Sequence, residues 1–187
     1  MSRKREIIFV NFTKLCEDDL LYILSQRNSP KIRSAMTNQQ IITKEEHLQF
    51  CRALSSDESK LYFLILVDGI KCGVLDYQNI DIEKHTYEPG CYFFDECDLK
   101  LRTSILYASV FIRIKFKLFF PTIRVRKENT QALIFNTMKM GCTIYREDDE
   151  FYYLKNPSEP SSEKELIQAF ESVFEITQKY FDLKFDL

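Results

Sequence analysis

The sequence predicts an α+β (α/β) fold: a central mixed, mostly antiparallel sheet flanked by helices, with an extra helix at the C-terminus. Three observations carry this. The apolar run Leu61 to Val67 meets a second apolar segment, Cys72 to Tyr77, across Asp68-Gly69, a two-residue hairpin signal. Thr43 and Glu46 stand at capping-box spacing ahead of His47, Phe50 and Leu54, which recur at helical intervals. The 187 residues are 45% hydrophobic and include sixteen Phe and ten Tyr, enough for one domain with a closed core.

The elements follow in order. Ile7 to Val10 is a β-branched and aromatic run, a first strand. Glu17, Asp18 and Asp19 place negative charge in the first turn of a helix that carries Leu20, Leu21 and Leu24 on one face. The capped helix from Thr43 comes next, then the hairpin, a polar turn at Ile82 to Pro89 and a third strand at Gly90 to Phe94. From Ser104 to Phe120 the signals conflict. Ile112, Ile114, Phe116 and Leu118 alternate with cations as in a strand, yet the apolar run from Ile105 is too long for one, so a helix ending near Lys117 is expected. Pro121 breaks it, Thr122 to Arg126 alternates as a strand, and Asn129 to Met140 reads as a helix stopped by Gly141. A hairpin of Cys142 to Tyr145 with Phe151 to Leu154 is expected to close the sheet. Residues 1–158 make up this domain. Residues 159–187 read as an amphipathic helix with a Ser162–Glu165 capping box and an apolar stripe of Leu166, Phe170, Val173, Phe174, Thr177 and Phe181. That helix packs on its own domain or, as the alternative, forms a homodimer contact.

Charge and cysteine content narrow the function classes. A net charge of −2 offers no general attraction to nucleic acid. Six cysteines lack any C-x-x-C pair or zinc-type spacing with histidine, so they read as free thiols of a reducing, cytoplasmic compartment, with no metal site. The apolar run near the N-terminus is too short for a membrane span, and no membrane partner is expected.

The stretch Arg27 to Phe50, with Arg27, Asn28, Arg33, Met36, Asn38, His47 and Phe50, resembles the N-terminal segment of one branch of the GNAT N-acetyltransferases. That branch modifies the amine of nucleotide-linked aminodeoxy sugars, as in the pseudaminic-acid pathway. Element order resembles the GNAT fold as well, and Asn129, Ala132, Phe135 and Gly141 follow the motif that borders the acetyl-CoA thiol in that family. The resemblance implies acetyl-CoA as co-substrate and a small nucleotide-sugar acceptor. It implies that Arg27, Asn28, Arg33, Met36, Phe50 and Tyr92 line the acceptor pocket, with Arg27 on a phosphate, and that His47 contacts the substrate. His47 also has the titration range of a base. The other histidine, His85, sits in a turn-like stretch and reads as solvent-exposed.

The same resemblance implies that Phe93 and Phe94 pair with the pantetheine arm and that Lys100, Leu101, Arg102 and Thr103 form the diphosphate loop, with Asn129, Ala132 and Phe135 beside the cofactor. Here the chain departs from the family. Leu99 to Ser104 contains no glycine, so close backbone approach to a phosphate is replaced by the charges of Lys100 and Arg102, with Thr103 or Ser104 as helix cap. The family's acidic tyrosine falls at Asn136, whose amide hydrogen-bonds a sulfur or carbonyl but is no general acid. Tyr145, Tyr152 and Tyr153 are substitutes by residue type. Two competing readings stay open: a ribosomal-protein-type N-terminal acetyltransferase, and a non-catalytic GNAT-fold binding module.

Overall fold

The computed structural model describes residues 3–156 and 163–187. A six-stranded sheet forms the centre. It runs through β1 (Arg5–Asn11), β2 (Leu61–Val67), β3 (Ile70–Asp81), β4 (Thr86–Phe93), the short β5 (Phe120–Pro121) and β9 (Phe181–Asp186), in the order β5-β4-β3-β2-β1-β9. The β1–β2, β2–β3 and β3–β4 pairs are antiparallel, while β5 and β9 add in parallel at the two edges. The hairpin signal holds: Asp68 and Gly69 both take positive φ, 51° and 82°, the geometry a two-residue primed turn demands. Asp68 also ties the turn to β1, its carboxylate accepting from Glu6 N at 2.8 Å and Arg5 Nε at 2.7 Å.

Below one face of the sheet lie α1 (Glu17–Asn28), the four-residue α2 (Pro30–Arg33) and α3 (Lys44–Ala53). Ser29 caps α2 with Pro30 at its first position. The predicted capping box closes both of its bonds, Glu46 N to Thr43 Oγ1 at 3.2 Å and Thr43 N to Glu46 Oε2 at 2.8 Å. Phe12, Ile23, Leu64, Val74 and Phe94 form the core beneath these helices. On the other face α4 (Leu99–Ala108) and α5 (Val110–Lys115) cover a core of Phe9, Phe63, Ile65, Tyr77, Ile105 and Ile112.

Several expectations are corrected. β4 begins at Thr86, inside the expected turn, and tolerates Pro89 because β5 pairs only Thr86 and Tyr87, leaving the Pro89 edge without a ladder. His85 is half-buried rather than solvent-exposed; its carbonyl accepts from Phe119 and Phe120, and its ring lies 5.4 Å from that of Phe119. The helix expected from Ser104 starts at Leu99 and breaks at Ser109, whose hydroxyl bonds back to Leu106 O at 2.7 Å. The expected hairpin, β7 (Thr143–Glu147) with β8 (Phe151–Lys155), does not close the main sheet. It joins β6 (Ile123–Arg126) in a second sheet of order β6-β8-β7, because the chain leaves β4 at Pro121, which has no N–H to continue a ladder. The helix expected over Asn129–Met140 is α6 (Thr130–Ile134) running into a π turn at Phe135–Lys139, with Gly141 at φ 71° as the stop.

The tail is a helix followed by a strand. α7 (Glu163–Tyr180) packs on α4 and α5, with Phe174 stacked on Phe111 at 5.0 Å and the Arg113 guanidinium 4.0 Å from the Phe170 ring. Phe181, expected on the helical stripe, instead opens β9, which runs parallel to β1 and stacks Phe185 on Phe9 at 5.3 Å. Ser162 of the expected capping box lies outside the described residues.

Candidate active site

The main feature is where β4 and the chain of β5–β6 part. They pair only at Thr86–Phe120 and Tyr87–Pro121, with Thr122 N donating to Tyr87 O at 2.7 Å. Backbone groups alternate sides along a strand. Tyr87 points its carbonyl toward β5, so Pro89, Cys91 and Phe93 turn their backbone groups to the same side, where among the described residues no ladder continues. One side chain bridge spans the mouth: Arg124 Nε to Glu88 Oε1 at 2.6 Å.

Over the face of β4 that carries Glu88, Gly90 and Tyr92 lies the segment from α1 to α3. Arg27 closes the end of α1 and donates from its Nη2 to Asn38 O, while its buried Nη1 has no partner among the described residues. Burial lowers its pKa, with the Tyr92 hydroxyl opposing that and Arg33 adding to it. Met36, Phe50 and Tyr92 gather round the same core, Phe50 set edge-on against Tyr62 at 5.1 Å. Four predicted acceptor residues, Arg27, Met36, Phe50 and Tyr92, therefore meet on one face. Arg33 is half-buried nearby, felt electrostatically by Arg27.

Two predicted acceptor-side residues make structural hydrogen bonds. Asn28 pins the segment from α1 to α3, the acceptor-side lid, to itself, its amide donating to Ile42 O at 2.8 Å and its carbonyl accepting Ile42 N at 3.0 Å. His47 is 6% exposed and its Nε2 meets Leu20 O at 3.0 Å, so the imidazole ties α3 to α1. Burial lowers its pKa, and its Nε2 also lies 3.7 Å from Cys51 Sγ.

Sequence reading missed Asp76. Only 5% exposed, it stands on β3 opposite Tyr62 of β2 and Gly90 of β4. A Cβ at Gly90 would fall 2.4 Å from Oδ1 and 2.5 Å from Oδ2, so the glycine makes room for the carboxylate to lean across β4. Gln78 Nε2 donates to Oδ1 at 2.7 Å, and no cation among the described residues pairs with it. Burial, with Glu88 adding to it, pushes its pKa up to about 6 although Gln78 pulls the other way. The signal was there: one acid inside the apolar run Cys72 to Tyr77.

On the cofactor side, Phe93 exposes its backbone to the open edge and its ring lies 5.1 Å from the Arg102 guanidinium. Phe94 is corrected to a core residue: it is fully buried, stacked edge-on against Tyr22, and its N–H is taken by Cys72 O. The expected loop Leu99–Ser104 is the start of α4, so Leu101 is 8% exposed in the core and Thr103 lies within the helix instead of capping it. Asp98 caps it, accepting Lys100 N at 2.9 Å. The Nε of Arg102 is buried with no partner among the described residues. Asn129 caps α6 through Ala132 N at 3.1 Å and reaches Ala35 O at 3.3 Å, linking α6 to the lid. Phe135 opens the π turn, and Asn136 spends its amide on Ala132 O at 2.9 Å. Of the tyrosines that match the missing acid by type, Tyr153 donates to Asp148 at 2.7 Å, Tyr152 lies under the Lys127 ammonium, and Tyr145 is exposed on β7.

Comparison with known proteins decides the family. Acetyltransferase PseH of Campylobacter jejuni subsp. jejuni serotype O:23/36 (strain 81-176) is 35% identical over 147 residues, spanning 77% of this chain and 89% of the relative. The chain belongs to the PseH family of acetyltransferases. PseH from C. jejuni strain NCTC 11168 is 34% identical over 152 residues. The crystal structure of Campylobacter jejuni N-acetyltransferase PseH superposes with a TM-score of 0.62 at 30% identity, over 81% of this chain and 99% of that one, as does its complex with acetyl coenzyme A. Spermidine N-acetyltransferase from Vibrio cholerae, at 14% identity and a TM-score of 0.66, shares the fold alone. The GNAT fold expected from the sequence is thus the fold observed. No family model matches the chain. Among the described residues no cluster of metal-ligating side chains occurs, and no helix is long and apolar enough to cross a membrane.

Proposed function

We propose that this N-acetyltransferase moves an acetyl group from acetyl-CoA to the primary amine of a nucleotide-linked aminodeoxy sugar. The observation that carries the reading is the 35% identity to PseH, joined to a lid that brings Arg27, Met36, Phe50 and Tyr92 to the face of the splayed strand. The open edge of β4 at Cys91 and Phe93 suits the amide-bearing arm of acetyl-CoA, since unpaired backbone groups there need partners. Arg27, with a buried donor unspent, suits an anionic oxygen of the nucleotide, because a guanidinium holds phosphate through parallel hydrogen bonds. Phe50 and Tyr92 supply apolar walls for the deoxy sugar.

Chemistry follows by direct transfer. The amine, freed of one proton, attacks the thioester carbonyl; a carbon–nitrogen bond forms, the carbon–sulfur bond breaks, and CoA leaves as thiolate. A free thiol titrates near about 8.5, so the sulfur is a fair leaving group without a tyrosine acid. Water at the open mouth reprotonates it. The six unpaired cysteines support a cytoplasmic setting.

The test is thiol release from acetyl-CoA with three acceptors in parallel: a UDP-linked aminodeoxy sugar, spermidine, and a peptide with a free N-terminus. Turnover with the sugar alone is expected. Preference for the peptide would replace the reading by protein N-terminal acetylation, and acetyl-CoA binding without turnover of any acceptor would favour a binding module.

A further inference from the structure

We infer that Asp76 takes the proton from the acceptor ammonium, acting as the general base of the transfer. This rests on the acceptor reading above and assigns a role it leaves open. The geometry points to this residue before any other. Arg27, Phe50 and Tyr92 mark the acceptor side of the sheet, and on that side the carboxylate leans over Gly90. Gly90 precedes Cys91, whose backbone groups face the unpaired edge, so the carboxylate stands next to the place where amine and thioester must meet.

Other candidates are committed elsewhere. Glu88, two residues from Gly90 on the same face, has Oε1 held by Arg124 at 2.6 Å and Oε2 by Asn79 at 3.0 Å. His47 is bound to Leu20 between two helices. Tyr62 and Tyr92 flank Asp76, and burial raises both phenols, which keeps them protonated. Among the described residues, Asp76 alone combines a carboxylate, burial against the acceptor face, and no cationic partner.

The groups facing it are Tyr62 from β2, Gln78 from its own strand, and Glu88 and Tyr92 from β4, with Arg27 of α1 beyond Tyr92, Cys51 of α3 near both phenols, and Cys91 coupled to it from the opposite face of β4. Charge near it is mainly negative and the setting is apolar, the arrangement that makes a carboxylate a stronger base. One proton passes from the ammonium to the Asp76 carboxylate, leaving a neutral amine and a neutral acid. After attack, the second nitrogen proton leaves through water to the departing thiolate, so the products are amide, CoA thiol and one proton that Asp76 releases.

The decisive measurement is the pH dependence of kcat/KM for the UDP-linked aminodeoxy sugar with wild type and Asp76→Asn. Wild type should hold a plateau between about pH 6, where Asp76 titrates, and the ammonium pKa. Asp76→Asn should lose about 10²–10⁴-fold on that plateau. Its remaining rate should climb about tenfold per pH unit toward the ammonium pKa, because solution then supplies the free amine. A packing role would not give that climb. Acetyl-CoA binding by Asp76→Asn, read by calorimetry, should match wild type. If the variant does not fold, the wild-type profile still decides: a continuous unit slope through pH 6, with no plateau, overturns the inference. So does an Asn variant within threefold of wild type at every pH, which would leave the acceptor reading intact. Should wild type acetylate none of the aminodeoxy sugars offered, the acceptor reading fails and this assignment falls with it.

Discussion

Replacing Asp76 by asparagine removes a charge that the fold holds against its preference, so the variant should be more stable than wild type at neutral pH. The carboxyl titrates at about 6 in the folded chain and near about 3.9 when unfolded. That difference of roughly two units corresponds to about 3 kcal/mol as an upper bound. The sign follows from a raised folded pKa. Protonated Asp76 contributes stability that is complete below about pH 4 and is lost as pH rises to about 6, where the buried charge weighs fully against folding. Asparagine keeps an oxygen for Gln78, which donates at 2.7 Å, but adds an amide N–H group that must find an acceptor. An unmet donor costs about 1–3 kcal/mol, so a net gain of at most about 2 kcal/mol, centred near ~1 kcal/mol, is expected at pH 8, the latter being ~2–4 °C in Tm for a chain of this size. Thermal melts and urea titrations of both proteins at pH 4 and pH 8 measure it. The gain should appear at pH 8 and vanish or reverse at pH 4. A difference between the two proteins that is unchanged between the two pH values would refute the claim that burial raises this pKa.

Other outcomes follow from the site. Arg27→Ala should lower kcat/KM for the nucleotide sugar by roughly ten- to a hundredfold, the worth of a charge-assisted contact, and leave the acetyl-CoA constant unchanged in kinetics with each substrate varied. His47→Ala should act on stability rather than on either substrate constant, costing about 1–3 kcal/mol by orphaning Leu20 O in chemical denaturation. Paired Lys100→Ala and Arg102→Ala changes should weaken acetyl-CoA binding and flatten its salt dependence in a calorimetric series, since side-chain charges there offset Asp98. Asn136→Ala should retain nearly full kcat, because the amide is bonded to Ala132 O within its own helix.

Local order made much of the fold legible in the sequence. The Asp68-Gly69 turn, the Thr43–Glu46 box and the Gly141 stop each depend on residues a few positions apart, and all three formed as the sequence implies. The family was also readable, because Arg27, Met36 and Phe50 stand along one segment that resembles it. Long-range placement decided the rest. Whether His47 would meet substrate or a carbonyl of α1 depended on how two helices dock, which nearby residues do not encode. The start of α4 turned on Asp98 finding Lys100 N, and the second sheet on Pro121 ending the parallel pair with β4. Asp76 stood in the sequence as one acid in an apolar run, but its burial, the space above Gly90 and the two phenols beside it come from the register in which three consecutive strands pair. A carboxylate's basicity is set by what surrounds it, and that surrounding is a property of the assembled sheet.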